Sequence, residues 1–154
     1  HYMTVYQVSI VDNNTGEIIG MYVPGATPPD EGVDENNSGR RIVHMTSEVP
    51  NPVEYQQTKY YKDGEWKTRE WKGDYFTWKS NETWEFNSDA FWEKVREDRN
   101  WKLFQCDWTQ SPDSPLSDSK KAEWAEYRTI LRSIPAQEST TTELDQIVWP
   151  DKPS

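Results

Sequence analysis

Few residues in this chain are equipped for covalent chemistry. The single cysteine, Cys106, with His44 and Asp107, is the nearest thing to a nucleophile–base–acid set. Cys106 follows Leu103 and Phe104 at the end of a helical pattern, where a small buried hydrophobe is the simpler reading. His44 lies in a β-branched stretch without a partner at sequence level and reads as a half-buried polar residue. Asp34-Glu35-Asn36-Asn37-Ser38-Gly39 opens like a calcium loop, with glycine at the sixth position. Its twelfth position is Met45, where a bidentate glutamate is required, so that reading fails. One cysteine and so few histidines supply too few soft ligands for a transition metal. No glycine-rich phosphate cradle is present. Carboxylates are plentiful, but a glycosidase pair is defined by a separation in space that sequence does not carry. The expectation is a protein without catalytic residues, metal or cofactor.

The aromatic residues are the remaining chemical resource. Leu, Ile, Val and Phe make up only 25 of 154 residues, while there are nine Trp and eight Tyr. So few aliphatics with a net charge of −10 approach the composition of a disordered chain. Aromatic side chains bury about 150–250 Å² each and can build the core instead. Trp66, Trp71, Trp78 and Trp84 therefore have two readings, a core that replaces missing aliphatics or a stacking platform for a sugar, and the first is favoured. Seven of the nine Trp lie between Trp66 and Trp108 at irregular spacing, so no internal repeat is implied.

Composition also bounds the partners. No apolar run approaches the ~18 residues of a membrane span, and the opening residues lack the pattern of a secretory signal. A pI near 4.7 disfavours nucleic acid and anionic lipid. Soluble protein partners remain.

The elements that position these residues follow from local patterns. Residues 4–11 and 17–23 are β-branched and aromatic runs across Asp12-Asn13-Asn14-Thr15-Gly16, a hairpin pattern. Residues 24–40, rich in Pro, Gly and acids, read as an exposed loop, and 41–46 as a short strand. Residues 55–62 and 65–69 flank Asp63-Gly64, which suits a two-residue type I′ turn and sets Lys62 opposite Glu65 and Tyr61 opposite Trp66. A further hairpin is expected over 74–86.

At Asn87-Ser88 the period changes. Phe91, Trp92, Val95, Arg99 and Leu103 fall at helical spacing to about Gln105. Residues 107–117, with Pro112 and Pro115, form a connector. Ser117 caps a second helix over 118–134, whose stripe is Trp124, Tyr127, Leu131 and Ile134, with Pro135 as its stop. A polar stretch, 136–143, leads to Ile147-Val148-Trp149. The expected fold is α+β: an antiparallel β unit over 3–86, then a helical hairpin with an extended tail over 87–154.

The C-terminal third resembles a known family. Arg99-x-x-x-Leu103-Phe104-x-x-Asp107-Trp108-Thr109-Gln110, then Asp113-x-Pro115-Leu116, then Trp124-x-x-Tyr127-Arg128-x-x-Leu131-Arg132-x-Ile134-Pro135, then Ile147-Val148-Trp149-Pro150-x-x-Pro153 is similar to the C-terminal signature of tail fibre assembly proteins of tailed bacteriophages. The match covers about 99–153, with Phe104 in place of a second Leu and a long insert at 136–146. The resemblance implies a helper that binds a trimeric fibre and promotes its folding or assembly, without catalysis or cofactor. It places the chain in the virion tail or the infected host cytoplasm. Its partner is a tail fibre or another tail protein, and neither the fibre nor the oligomeric state is named by the sequence. The candidate partner-binding residues are Trp108, Trp124, Tyr127, Arg128, Arg132 and Trp149. Each also has a structural reading: Asp107 turns the chain so that Trp108 meets the second helix, Arg128 and Arg132 pair with acids or meet an acidic partner, and Trp149 locks the tail over the hairpin. A virion structural tail component using the same module is the alternative, and a carbohydrate-binding module the more distant one.

Overall fold

Asp12 closes the first hairpin with its own side chain: Oδ1 accepts from the backbone N–H groups of Asn14 and Thr15, both at 2.8 Å. The strands on either side are β1 (Val8–Asp12) and β2 (Ile18–Tyr22). In the computed structural model, residues 8–25, 27–45, 49, 51–136 and 141–154 are described. Residues 4–7 and 46, expected to be extended, and 137–140 of the polar stretch lie outside them.

β1 is the centre of a four-stranded antiparallel sheet of order β2-β1-β4-β3, with β3 at Gly32–Asp34 and β4 at Asn37–His44. This corrects the loop expected over 24–40. Asp34 Oδ1 accepts from Asn36 N and Asn37 Oδ1 from Gly39 N, so the same Asx chemistry that reads as a loop folds a tight turn. Val33, paired with Arg41, then adds a strand to the edge. The would-be calcium loop is this hairpin, and among the described residues no acidic or His/Cys cluster is arranged to hold a metal. His44 is part-buried, with Nε2 2.7 Å from the Pro29 carbonyl.

The second correction lies at 55–58. Asn51 caps α1 (Pro52–Thr58) by accepting from Glu54 N, and Pro52 sits in the first turn, where its missing N–H costs nothing. The strand pattern of Tyr55 is used differently: from the helix, its ring meets Trp66 edge-on at 5.8 Å. The hairpin that follows, β5 (Lys59–Lys62) and β6 (Glu65–Thr68), has Tyr61 opposite Trp66 and Lys62 opposite Glu65. Asp63 and Gly64 both have positive φ, 55° and 78°, as a type I′ turn requires. β7 (Phe76–Trp78) and β8 (Trp84–Phe86) pair as a third small sheet.

The chain divides into two compact units, His1–Glu85 and Phe86–Ser154. In the first, Val11, Ile18 and Val43 form the sheet's apolar centre, covered by Met21, Tyr55, Tyr61 and Trp66. A second cluster is built from rings. Tyr60 meets Trp78 at 4.9 Å, Trp78 meets Trp84 at 5.1 Å, and Trp71 meets Trp84 at 5.4 Å. Arg69 is buried among them, its guanidinium 5.0 Å from Trp78 and 4.6 Å from Trp84, with Glu17 as its ion partner at 3.3 Å. Burial pulls the Arg69 guanidinium below its ordinary value and Glu17 opposes that. Glu82 accepts from Tyr60 Oη at 2.8 Å and Lys67 Nζ at 3.2 Å, which holds its carboxyl below the ordinary range. Of the four Trp with two readings, Trp78 is buried, Trp66 and Trp84 are half-buried and only Trp71 is exposed. These rings are spent on packing, as the core reading expects.

The second unit contains α2 (Ser88–Gln105), a 3-10 turn at Asp107–Gln110, α3 (Asp118–Ser133), a 3-10 turn at Ile134–Ala136 and the C-terminal tail. Asn87 and Ser117 cap the two helices, accepting from Ala90 N and Lys120 N. An antiparallel β unit followed by helices is the α+β class expected.

The β1–β2 turn is where the first unit is pinned together. Tyr61 N donates to Gly16 O at 2.9 Å, Trp78 Nε1 to Thr15 O at 3.0 Å, and Lys62 Nζ to Asn14 O at 2.7 Å. Gly16 has φ +80°, and a Cβ there would stand 2.3 Å from the Tyr61 carbonyl oxygen. Gly16→Ala is therefore expected to destabilise the first unit by about 2–3 kcal/mol, through backbone strain and loss of the Tyr61 contact. Chemical denaturation followed by tryptophan fluorescence measures it; a loss under about 0.5 kcal/mol, the range of neutral surface changes, would refute this role of the turn.

Candidate functional site

The helix pair of the second unit is built on apolar spacing and closed by one cation. Phe91 and Val95 of α2 are fully buried, as are Leu131 of α3 and, nearly so, Tyr127 and Ile134. Trp124 is half-buried and meets Tyr127 edge-on at 5.6 Å. Burial raises the Tyr127 phenol above its ordinary value.

Arg128 lies on α3 one residue from Tyr127 and is buried. Its Nη1 donates to the Leu103 carbonyl at 2.8 Å and to Cys106 Sγ at 3.2 Å, and its Nη2 reaches Asp107 Oδ1 at 2.8 Å. The Leu103 carbonyl belongs to the last turn of α2, where the helix leaves carbonyls without intrahelical donors and the macrodipole is negative. The Leu103 carbonyl already accepts from Cys106 N at 3.1 Å, and the Arg128 guanidinium adds a charged donor at this negative helix end. Burial works against its charge, but the bonds to Cys106 and Asp107 outweigh it and hold Arg128 above its ordinary value.

The Asp107–Gln110 turn is held from inside. Thr109 is fully buried, its Oγ1 donating to the Cys106 carbonyl at 2.6 Å. Gln110 Nε2 donates to Lys121 O at 3.1 Å, tying the turn to the first turns of α3. Ser111 Oγ donates to Asp113 Oδ1 at 2.7 Å, which lowers the Asp113 carboxyl from its ordinary value. Cys106 is buried, its thiol donating toward the Lys102 and Leu103 carbonyls and accepting from Arg128. His44 lies in the other unit.

Four of the six candidate partner residues are thereby given structural work. Tyr127 and Arg128 are core, Trp124 packs on Tyr127, and Trp149 lies under Lys102, whose Nζ is 5.1 Å from the ring centroid. The tail is further held by Lys120 Nζ, which donates to Ser154 O at 2.7 Å. Arg132, four residues after Arg128, is exposed. Trp108 is 50% exposed. The tight 3-10 turn sends Thr109 fully inward and leaves its neighbour Trp108 half exposed.

Sequence reasoning passed over Trp101. It stands with Phe104 on the helix face away from Phe91 and Val95, 59% and 66% exposed, the rings stacked at 5.6 Å. The signal was present: two aromatics fall off the 91/95 stripe of an otherwise amphipathic helix.

Residues 92–154, from the second turn of α2 to the end of the chain, match the family model of the phage tail assembly chaperone protein. No curated protein and no solved structure matches. The family match lies on the C-terminal module that carries the signature, and it supports a role in phage tail assembly.

Arg128→Ala removes the buried cation that the Leu103 carbonyl, Cys106 Sγ and Asp107 share and is expected to cost the second unit about 2–3 kcal/mol, whereas Asp107→Asn, at the exposed end of the pair, costs about 0.5–1 kcal/mol. Thermal unfolding followed by circular dichroism at 222 nm checks the ranking; equal losses would contradict it.

Proposed function

We propose that this protein is a non-enzymatic assembly factor that binds a tail fibre polypeptide and assists its folding or assembly. The observation that carries the reading is the division of the signature module into an interior that holds it rigid and an exterior that is aromatic. Asp107, Thr109, Gln110, Tyr127, Arg128, Leu131 and Ile134 are tied to one another or buried. Trp101, Phe104 and Trp108 are not needed for that and stand exposed. Rigid exposed aromatics are the anchors of protein interfaces, because they supply large contact area at small entropic loss. The family match supports tail assembly, and the fibre is the client the signature implies. Trp108, Arg132 and the exposed edge of Trp149 are the candidate contacts from the signature itself.

Co-expression with the tail fibre polypeptide of the same phage tests this. The expected result is a several-fold rise in soluble trimeric fibre, read by size-exclusion chromatography with light scattering. Unchanged fibre yield and no co-elution would reject the reading.

A further inference from the structure

The outer face of α2 has the form of a receptor for a cation. Trp101 and Phe104 are stacked there at an interplanar angle of 22°, and with Glu97, Asp98 and Asn100 they line an open, mainly apolar groove of about 570 Å³. Glu97 is one helical turn before Trp101, so its carboxylate and the ring share a face. Asp98 is paired with Lys94 at 3.1 Å, and among the described residues Glu97 forms no ion pair. No described cation stands over Trp101 or Phe104 either.

A related arrangement of rings and carboxylate holds a cation elsewhere in the chain. Arg69 lies over two indole rings and pairs with the carboxylate of Glu17. On α2 the rings and the carboxylate are present, and Arg99, the guanidinium beside them in sequence, is bonded through Nε to Asn100 Oδ1 at 3.1 Å. Aromatic faces attract cations through their quadrupole, and arginine adds planar stacking to its ion pair.

We propose that the Trp101–Phe104 face of α2 docks a basic, arginine-bearing segment of the tail client, the guanidinium lying on the exposed rings and pairing with Glu97. This rests on the assembly-factor reading and deepens it by naming the surface and the partner chemistry. The net charge of −10 favours such a client over a second copy of the chain, which carries the same excess of negative charge.

The test is binding of the phage's purified tail fibre polypeptide to the full chain, measured by biolayer interferometry at low and high salt. The Trp101→Ala/Phe104→Ala double variant is expected to bind at least about tenfold more weakly. Glu97→Lys should weaken binding several-fold and flatten its salt dependence, with the melting temperature of both variants unchanged because these side chains are exposed. Wild-type affinity in the double variant, with fibre binding intact, overturns the docking surface and leaves the assembly-factor reading standing. Failure of the wild-type chain to bind the fibre overturns both. A wild-type dimer that becomes monomeric on Trp101→Ala/Phe104→Ala would make a second copy the occupant and overturn the proposal.

Discussion

The guanidinium of Arg128 joins three pieces of the C-terminal unit that sequence alone leaves separate: the last turn of α2 through the Leu103 carbonyl, the intervening turn through Asp107, and α3 on which it sits. A buried charge is tolerated only when it is paired and its donors are used. Here the helix end needs a cation and the cation needs acceptors, so each satisfies the other. Thr109 and Gln110 then fix the turn from within, and the Tyr127–Leu131–Ile134 stripe is covered. The signature is legible as physics: most of its polar residues are the hydrogen-bonding apparatus of one helix–turn–helix connection.

The N-terminal unit meets the shortage of aliphatics in a related way. Its sheet centre is small, and Tyr60, Trp71, Trp78 and Trp84 extend it around Arg69. Aromatic residues with a polar edge need partners when buried, and they find them: Trp78 Nε1 donates to Thr15 O and Trp84 Nε1 to Glu70 O. The ring cluster is thus pinned to the β1–β2 turn and to the segment after β6. Composition near the disordered range is compatible with a folded chain because these rings combine area with directional bonds.

How much of this was legible depended on the range of the interactions. The register of the Asp63-Gly64 hairpin and the boundaries and caps of α2 and α3 followed from local chemistry and agree with the structure closely. Strand β3 did not, because its pairing with β4 is decided by the sheet and its sequence looks like a loop. Tyr55 carried a strand pattern, yet Asn51-Pro52 started a helix that still delivers its ring to Trp66. At the candidate site, Arg128 and Asp107 were singled out, but their bond joins residues 21 apart and could not be read from spacing. The complete burial of Thr109 within the 3-10 turn was not legible, because it is set by the turn's geometry and not by residue type. Trp101 was visible as an aromatic off the buried stripe, a feature that a core-directed reading passes over.

In the proposed function the signature holds the module from inside while the outer face of α2 and the turn beyond it meet the client. Hydrogen–deuterium exchange of the chain, alone and with its fibre polypeptide, measures this directly. The account predicts that amides of 120–134 are already protected without the fibre and that added protection on binding concentrates between 97 and 108. Protection gained only in the N-terminal sheet, with 97–108 unchanged, would contradict it.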